Sequence, residues 1–269
     1  MDVRVLGPLE VDTVGRAPRL TDRQCRVMGA LVPDLGRVVS DTQLLEILWG
    51  CDTRPGARAT LRSHVMRLRR SLGSDGSAIA RAGQGPSAGY VLRLEPHLID
   101  ANRFRVLLRE GHRLLLDAEL AAAADKLQSA AELWRGRAFA ELLDMPFAAR
   151  EVRKLTVLRR TTQLLLDEAQ IRLGYAAEVV SDLETLVEDD FGDEWACQLL
   201  TVALYDAGRI DAAAATCWNG LKYASERGLD SPVLRALQRG VLRHSIDLEF
   251  RLASARQVAG RAPGRRSRP

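Results

Sequence analysis

The first hundred residues alternate short apolar runs with turn signals. Residues 4–11 (RVLGPLEV) are rich in β-formers around Gly7 and Pro8, which predicts two short strands joined by a turn. Two capping boxes follow, Thr21 with Gln24 and Ser40 with Gln43, each a pairing of side chain and backbone that opens a helix. After Thr21 the apolar positions Val27, Met28, Leu31 and Val32 recur at helical spacing as far as Pro33. After Ser40 they are Leu44, Leu45, Ile47 and Leu48, ending near Gly50. The loop WGCDTRPG leads to a third helix over residues 57–73 (ARATLRSHVMRLRRSLG), where Leu61, Val65, Leu68 and Leu72 fall in one narrow stripe, the mark of a buried seam. Residues 78–82 and 89–94 then read as a β-hairpin around the Gly/Pro/Ser-rich tip 83–88.

From residue 99 onward the periodicity is helical, with no strand signal. Leu173-Gly174-Tyr175-Ala176-Ala177 and Ala207-Gly208-Arg209-Ile210-Asp211-Ala212 place their glycines 34 positions apart, the tetratricopeptide period. A third, less regular copy runs over 116–134 with Ala118 in the glycine slot. A small residue there lets two helices cross closely, and each hairpin hides its apolar face only against its neighbour, so about three hairpins are the minimum. The longer interval RGRAFAELLDMPFAAREV has a break at Pro146, and Phe139 and Phe147 are expected to plug the stack. Trp134, Trp195 and Trp218 read as core, with a ligand pocket as the other reading. His97, His112 and His244 are isolated.

Composition narrows the class. The 269 residues suit two modest domains, and 46% hydrophobic with 28% charged residues is a globular balance. Aromatics are only 5%, so the core is built from Leu, Val and Ala. No uncharged run approaches the roughly 18 to 20 residues that cross a bilayer, and the opening MDVRVLGPLEV lacks the pattern of an export signal, so a soluble, cytoplasmic chain is expected. Cys25, Cys51, Cys197 and Cys217 are far apart, with no CxxC pair and no His at zinc spacing, which predicts reduced thiols and no metal. No P-loop, GxGxxG after a strand, HExxH or GxSxG appears, and Glu188-Asp189-Asp190 reads as a solvated helix end. The chain is therefore expected to be no enzyme and to use no cofactor.

Charge is segregated. Residues 1–98 hold fourteen arginines, no lysine and ten acids, a net of +4; residues 99–259 carry −4; the last ten residues carry +4. Different segments then suit different partners. Only three of the 39 basic residues are lysines, a bias of GC-rich genomes, so arginine richness alone says little about phosphate. The third helix is more specific, with five arginines and no acid. Arg62, Arg67 and Arg70 lie away from the apolar stripe near Ala59, Ser63 and Met66, and Arg58 and Arg69 flank it. Small side chains among guanidinium groups suit a helix that enters a major groove. A merely solvated basic face is the other reading.

Two strands, three helices and a hairpin describe a winged helix-turn-helix. Residues 1–98 resemble the OmpR-type DNA-binding domain found in the Streptomyces antibiotic regulatory protein (SARP) family of transcriptional activators. The resemblance is carried by RVLGPLEV, by VVS-x-x-x-LL-x-x-LWG over 38–50, by T-L-R-S-H-V-x-R-L-R-R-x-L-G over 60–73 and by GY-x-L over 89–92. It implies that the third helix is the recognition helix, with Arg62, Ser63, Met66, Arg67 and Arg70 facing the groove. Arg58, His64 and Arg69, and Arg81 and Tyr90 of the wing, are the further DNA contacts it implies. It also implies that the loop 49–56, through Trp49, Asp52, Thr53 and Arg54, is presented to RNA polymerase. Three positions depart from the pattern. Met66 stands where relatives carry a small or polar residue, Ala80 or Ala82 where a Thr is common, and the tip AGQGPSAG is longer than a Pro-Pro-Gly turn.

Residues 99–250 resemble the bacterial transcriptional activation domain of the same family, through Asp100 and Phe104, LWRG over 133–136, Pro146-Phe147, Leu155 and the repeats. The resemblance implies a mainly α chain with a small β component. A winged helix-turn-helix over 1–98 precedes an all-α, tetratricopeptide-like domain over 99–250, and 251–269 form a basic tail expected to be disordered. No segment is left for the ATPase, receiver or forkhead-associated domains of larger relatives, so control by abundance or by a ligand is expected. The implied function is a sequence-specific activator of secondary-metabolite genes, sitting on promoter direct repeats in double-stranded DNA as a side-by-side dimer. It recruits RNA polymerase holoenzyme through sigma and other subunits, in the cytoplasm at the nucleoid and away from membranes. Two other classes stay open, a helical-repeat adaptor whose basic front binds an acidic protein, and a ligand-responsive DNA-binding regulator or repressor.

Overall fold

The computed structural model describes residues 1–15, 17–50 and 55–245. Among them the strands are β1 (Asp2–Arg4), β2 (Glu10–Asp12), β3 (Val39–Ser40), β4 (Ile79–Ala82) and β5 (Gly89–Leu92). The helices are α1 (Asp22–Leu31), α2 (Asp41–Trp49), α3 (Ala57–Ser71), α4 (Asp100–Leu116), α5 (Leu120–Glu132), α6 (Pro146–Leu173), α7 (Ala176–Asp189), α8 (Glu194–Asp206), α9 (Ile210–Glu226) and α10 (Pro232–Leu242). The chain forms two compact units, Met1–Leu107 with Ala130–Arg159, and Leu108–Ser129 with the described residues from Arg160 onward.

In the first unit, β1 and β2 pair antiparallel with Val3 opposite Val11, and the stretch between them carries Gly7 and Pro8. Both capping boxes form, at Thr21 on α1 and at Ser40 on α2, where Ser40 Oγ accepts from the Gln43 backbone N–H at 3.2 Å. The predicted hairpin gains a third strand, giving a sheet of order β3-β5-β4 with β5 central. Its tightest point is Gly89, where a Cβ would lie 2.0 Å from the Val39 carbonyl oxygen and 2.6 Å from Ser40 Cα. Both contacts are with backbone, so Gly89→Ala is expected to cost about 1–3 kcal/mol, an overpacking penalty read as a lower denaturation midpoint.

The segment 130–159 belongs to this unit. Phe139, 1% exposed, donates its backbone N–H to Val5 O at 2.9 Å, and Phe147 lies 3.7 Å from where a Cβ on Gly29 of α1 would stand. The two phenylalanines thus pack around the N-terminal strand region and α1, a correction to their expected place as plugs of the repeat stack. Asp100 secures the same region. Its carboxylate is 1% exposed and accepts from the backbone N–H of Val5 at 2.8 Å, of Leu6 at 3.0 Å and of Ala101 at 2.7 Å, with Arg135 3.9 Å away. Burial raises its pKa, while these N–H groups and Arg135 oppose the rise.

The second unit is helical. α7 packs on α8, α8 on α9, and α10 on α8 and α9, around Leu183, Ala196, Cys197, Ala203, Ala213 and Cys217. Gly174 and Gly208 close the predicted turns with φ of +96° and +75°, and Ala118, in the glycine slot of the irregular copy, is also left-handed at +62°. All three turns share one hydrogen-bond pattern. The residue after the slot donates to the carbonyl five positions back, Glu119 to Leu114 at 2.9 Å, Tyr175 to Gln170 at 2.9 Å and Arg209 to Leu204 at 2.8 Å, a Schellman helix end. Gly111 admits α5, since a Cβ there would stand 2.6 Å from Leu127 Cγ.

Within this unit α6 buries two adjacent carboxyl groups, Asp167 at 0% and Glu168 at 2% exposure. Gln163 donates to Asp167 at 2.9 Å, and Arg172 stands 3.7 Å from Glu168. Burial outweighs both partners and pushes each pKa up to about 7, with Asp182 adding to the rise at Asp167. The folded state therefore holds protons that the unfolded chain releases between about pH 4 and 7. Stability should fall as pH rises through that window, by on the order of 1 kcal/mol per pH unit, and level off above it. Asp167→Asn should flatten the dependence. Melting curves between pH 5.5 and 8 that are parallel for the two proteins would contradict this.

Candidate nucleic-acid interface

The head of the first unit is built so that α3 shows one face to solvent. Its seam, Leu61, Val65, Leu68 and Leu72, is at most 2% exposed, as the periodicity requires, and α3 packs on α1 and α2. The helix starts after Gly56, whose φ of +88° lets the chain turn sharply out of the preceding loop. On the far side Arg58, Arg62, Met66, Arg67 and Arg70 are exposed, Met66 by 52%. No acid lies on α3, and among the described residues these four arginines form no ion pair. In the same unit Arg4, Arg26, Arg81 and Arg103 are each held by a carboxylate. Ser63 is half-buried, with its hydroxyl donating to Ala59 O at 3.1 Å.

The remaining predicted contacts divide by what they touch. His64 is half-buried, its ring 5.9 Å from that of Trp49, and Arg23 lies 5.5 Å from the Trp49 ring while donating to Leu48 O at 3.2 Å. Burial, Arg23 and Arg67 push the His64 pKa below its ordinary 6.5, so the ring is neutral at pH 7. Arg69 donates its Nε–H to Ile79 O at 2.7 Å and so ties α3 to the wing. Arg81 spends both guanidinium forks on Asp41, at 2.5 and 2.7 Å, and lies 4.8 Å from the Tyr90 ring. Tyr90 is itself 4% exposed. Arg69, Arg81 and Tyr90 thus form a brace between wing, α2 and α3, whereas Arg58, Arg62, Met66, Arg67 and Arg70 form the open face. The wing tip, Gln84 to Ser87, is exposed beyond Gly83, whose φ is +78°. Trp49 is half-buried, and Asp52, Thr53 and Arg54 lie outside the described residues.

The residue that sequence reasoning missed is Asp41. An acid in the first turn of a capped helix ordinarily answers the helix dipole, and nothing nearby in sequence marks it as the partner of an arginine forty positions later. With Arg81 so committed, the open face has four guanidinium groups able to grip phosphates or a guanine edge, and a thioether able to touch a thymine methyl.

A mainly α chain with a small sheet, a braced wing and an open basic helix defines a winged-helix regulator joined to a helical-repeat body. Comparison with known proteins agrees. The family model described as "Bacterial transcriptional activator domain" matches residues 99–261, and that described as "Transcriptional regulatory protein, C terminal" matches residues 15–92. The chain belongs to the SARP family of transcriptional regulators, which join these two domains. It is 31% identical over 221 residues to the transcriptional regulator RedD of Streptomyces coelicolor, covering 78% of this chain and 60% of RedD. To the regulatory protein DnrI of Streptomyces peucetius it is 28% identical over 265 residues, covering 90% of this chain and 92% of DnrI. The solved structure of Mycobacterium tuberculosis EmbR in complex with a low affinity phosphopeptide superposes with a TM-score of 0.85 at 28% identity, covering 96% of this chain and 69% of that one. The chain thus spans 60% of RedD and, in sequence alignment, 63% of EmbR. No described helix is long and apolar enough to cross a membrane.

Proposed function

We propose that this chain is a sequence-specific DNA-binding activator of transcription, with no enzymatic activity of its own. The observation that carries the reading is the open face of α3, where Arg58, Arg62, Arg67 and Arg70 are exposed and unpaired among the described residues while the wing arginine Arg81 is used internally. In this reading residues 1–98 are the DNA-reading domain, 99–250 the activation domain and 251–269 a basic tail. Phosphate contacts supply salt-dependent affinity, and base contacts from α3 fix the register. The protein acts in the cytoplasm at the nucleoid, as a side-by-side dimer on promoter direct repeats, and recruits RNA polymerase holoenzyme partly through the loop 49–56. Its targets are secondary-metabolite genes, a reading supported by membership of the antibiotic regulatory family. Mapping of genome-wide occupancy together with transcript changes on deletion tests it. Occupied promoters whose transcripts fall on deletion are the expected result. A rise at those promoters would make the protein a repressor, and absence of discrete occupancy would remove the DNA-binding reading.

A further inference from the structure

The LWRG stretch is not used by the α3 face, and it borders a cleft of about 650 Å³ between residues 134–138 and the first half of α6. All of this cleft lies in the first unit. Trp134 forms a fixed wall, edge-on to the buried Phe104 at 5.3 Å, with the Arg159 guanidinium 4.8 Å from its ring centre on the cleft side of α6. The floor is apolar, with Ala138 and Val152 buried, and Val157 stands 64% exposed at the edge. Arg137 and Arg153 are exposed on the rim and form no ion pair among the described residues. The lining contains no acid at all.

We propose that this cleft is a docking site for an acidic peptide segment of a partner protein, anchored by an apolar side chain. Charge complementarity fixes the sign of the occupant, since three arginines surround the cleft with no carboxylate to neutralise them. The apolar floor and the exposed Val157 fix the rest. A sugar-phosphate backbone presents mainly charged oxygens and has no side chain long enough to fill the floor, whereas an extended or helical peptide seats an anchor there while its acids meet the rim. The cleft size is in the range of roughly 300–1,000 Å³ usual for ligand sites. The site is independent of the α3 face and of the DNA-binding reading.

The test titrates the full chain into a fluorescein-labelled peptide of alternating aspartate and leucine and follows anisotropy at low and high salt. Saturable binding that weakens with salt is expected. It should fall on the order of tenfold or more in Arg137→Glu/Arg153→Glu and in Val157→Asp, and less in the milder Arg153→Ala. It should be unchanged in the α3 variant Arg62→Glu. A polyaspartate peptide should bind more weakly, and a lysine–leucine peptide should not bind. Melting temperatures of the exposed-rim variants should match the parent. The proposal is overturned if the peptide does not bind, if the rim variants bind it as the parent does, or if Arg62→Glu abolishes binding. It is also overturned if the rim variants lose duplex DNA affinity while keeping the peptide, which would give the cleft to nucleic acid.

Discussion

Replacing Asp100 with alanine should destabilise the protein by about 3–5 kcal/mol, the usual cost of emptying a buried, hydrogen-bonded charge site. The carboxylate is 1% exposed and is the acceptor for the backbone N–H groups of Val5, Leu6 and Ala101. Removing it strands three buried donors, each costing about 1–3 kcal/mol when unpaired. It also frees the first turn of α4 and releases the stretch after β1 that receives Arg135 and Phe139 through the Leu6 and Val5 carbonyls. Asp100→Asn keeps one acceptor oxygen and should lose markedly less. The measurement is the denaturant midpoint of the two variants. A loss below about 1 kcal/mol for the alanine variant would show that water replaces the carboxylate there.

The second large effect is expected on binding. Arg67→Ala should weaken affinity for a cognate duplex by roughly 1–3 kcal/mol if the guanidinium reads a base. Equal loss on cognate and random DNA would assign it to phosphate, and no loss would remove it from the interface. Arg62→Ala and Arg70→Ala should behave as one of these two classes. Stability should not change, because these side chains have no ion pair among the described residues. Arg81→Ala should show the opposite order, a lower melting temperature first and weaker binding as its consequence, because it leaves the Asp41 carboxylate, in a residue 7% exposed, without its bidentate partner. If Arg81→Ala binds weakly yet melts like the parent, Arg81 is a direct contact and the brace is not needed.

What the sequence displays most clearly is what is local. The capping boxes at Thr21 and Ser40, the α3 seam and the turns at Gly174 and Gly208 are each fixed by residues a few positions apart, and each appears where the pattern places it. Ala118 shows the limit, because its φ of +62° is imposed by the helix end and no side-chain preference announces it. Longer-range pairings were out of reach. The two-residue strand β3 is too short to leave an alternation, and it exists because β5 offers a free edge. Asp100 reads as the start of a second domain, yet its carboxylate is bonded to residues nearly a hundred positions earlier. The arginines of the head look alike in sequence. Which of them are open is decided by which find an acceptor across the fold, as Arg81 has Asp41, Arg103 has Asp2 and Arg69 has the Ile79 carbonyl.

Selection of bound duplexes from a randomised pool by the 269-residue chain, in parallel with Arg67→Ala and Arg62→Ala/Arg67→Ala, puts the reading of α3 to proof. Enrichment of one motif in two copies of the same orientation is expected for the parent, with the motif relaxed at one position or lost in the variants at unchanged melting temperature. Retention of all sequences alike by the parent, or the same motif enriched to the same degree by the double variant, would show that α3 does not read DNA.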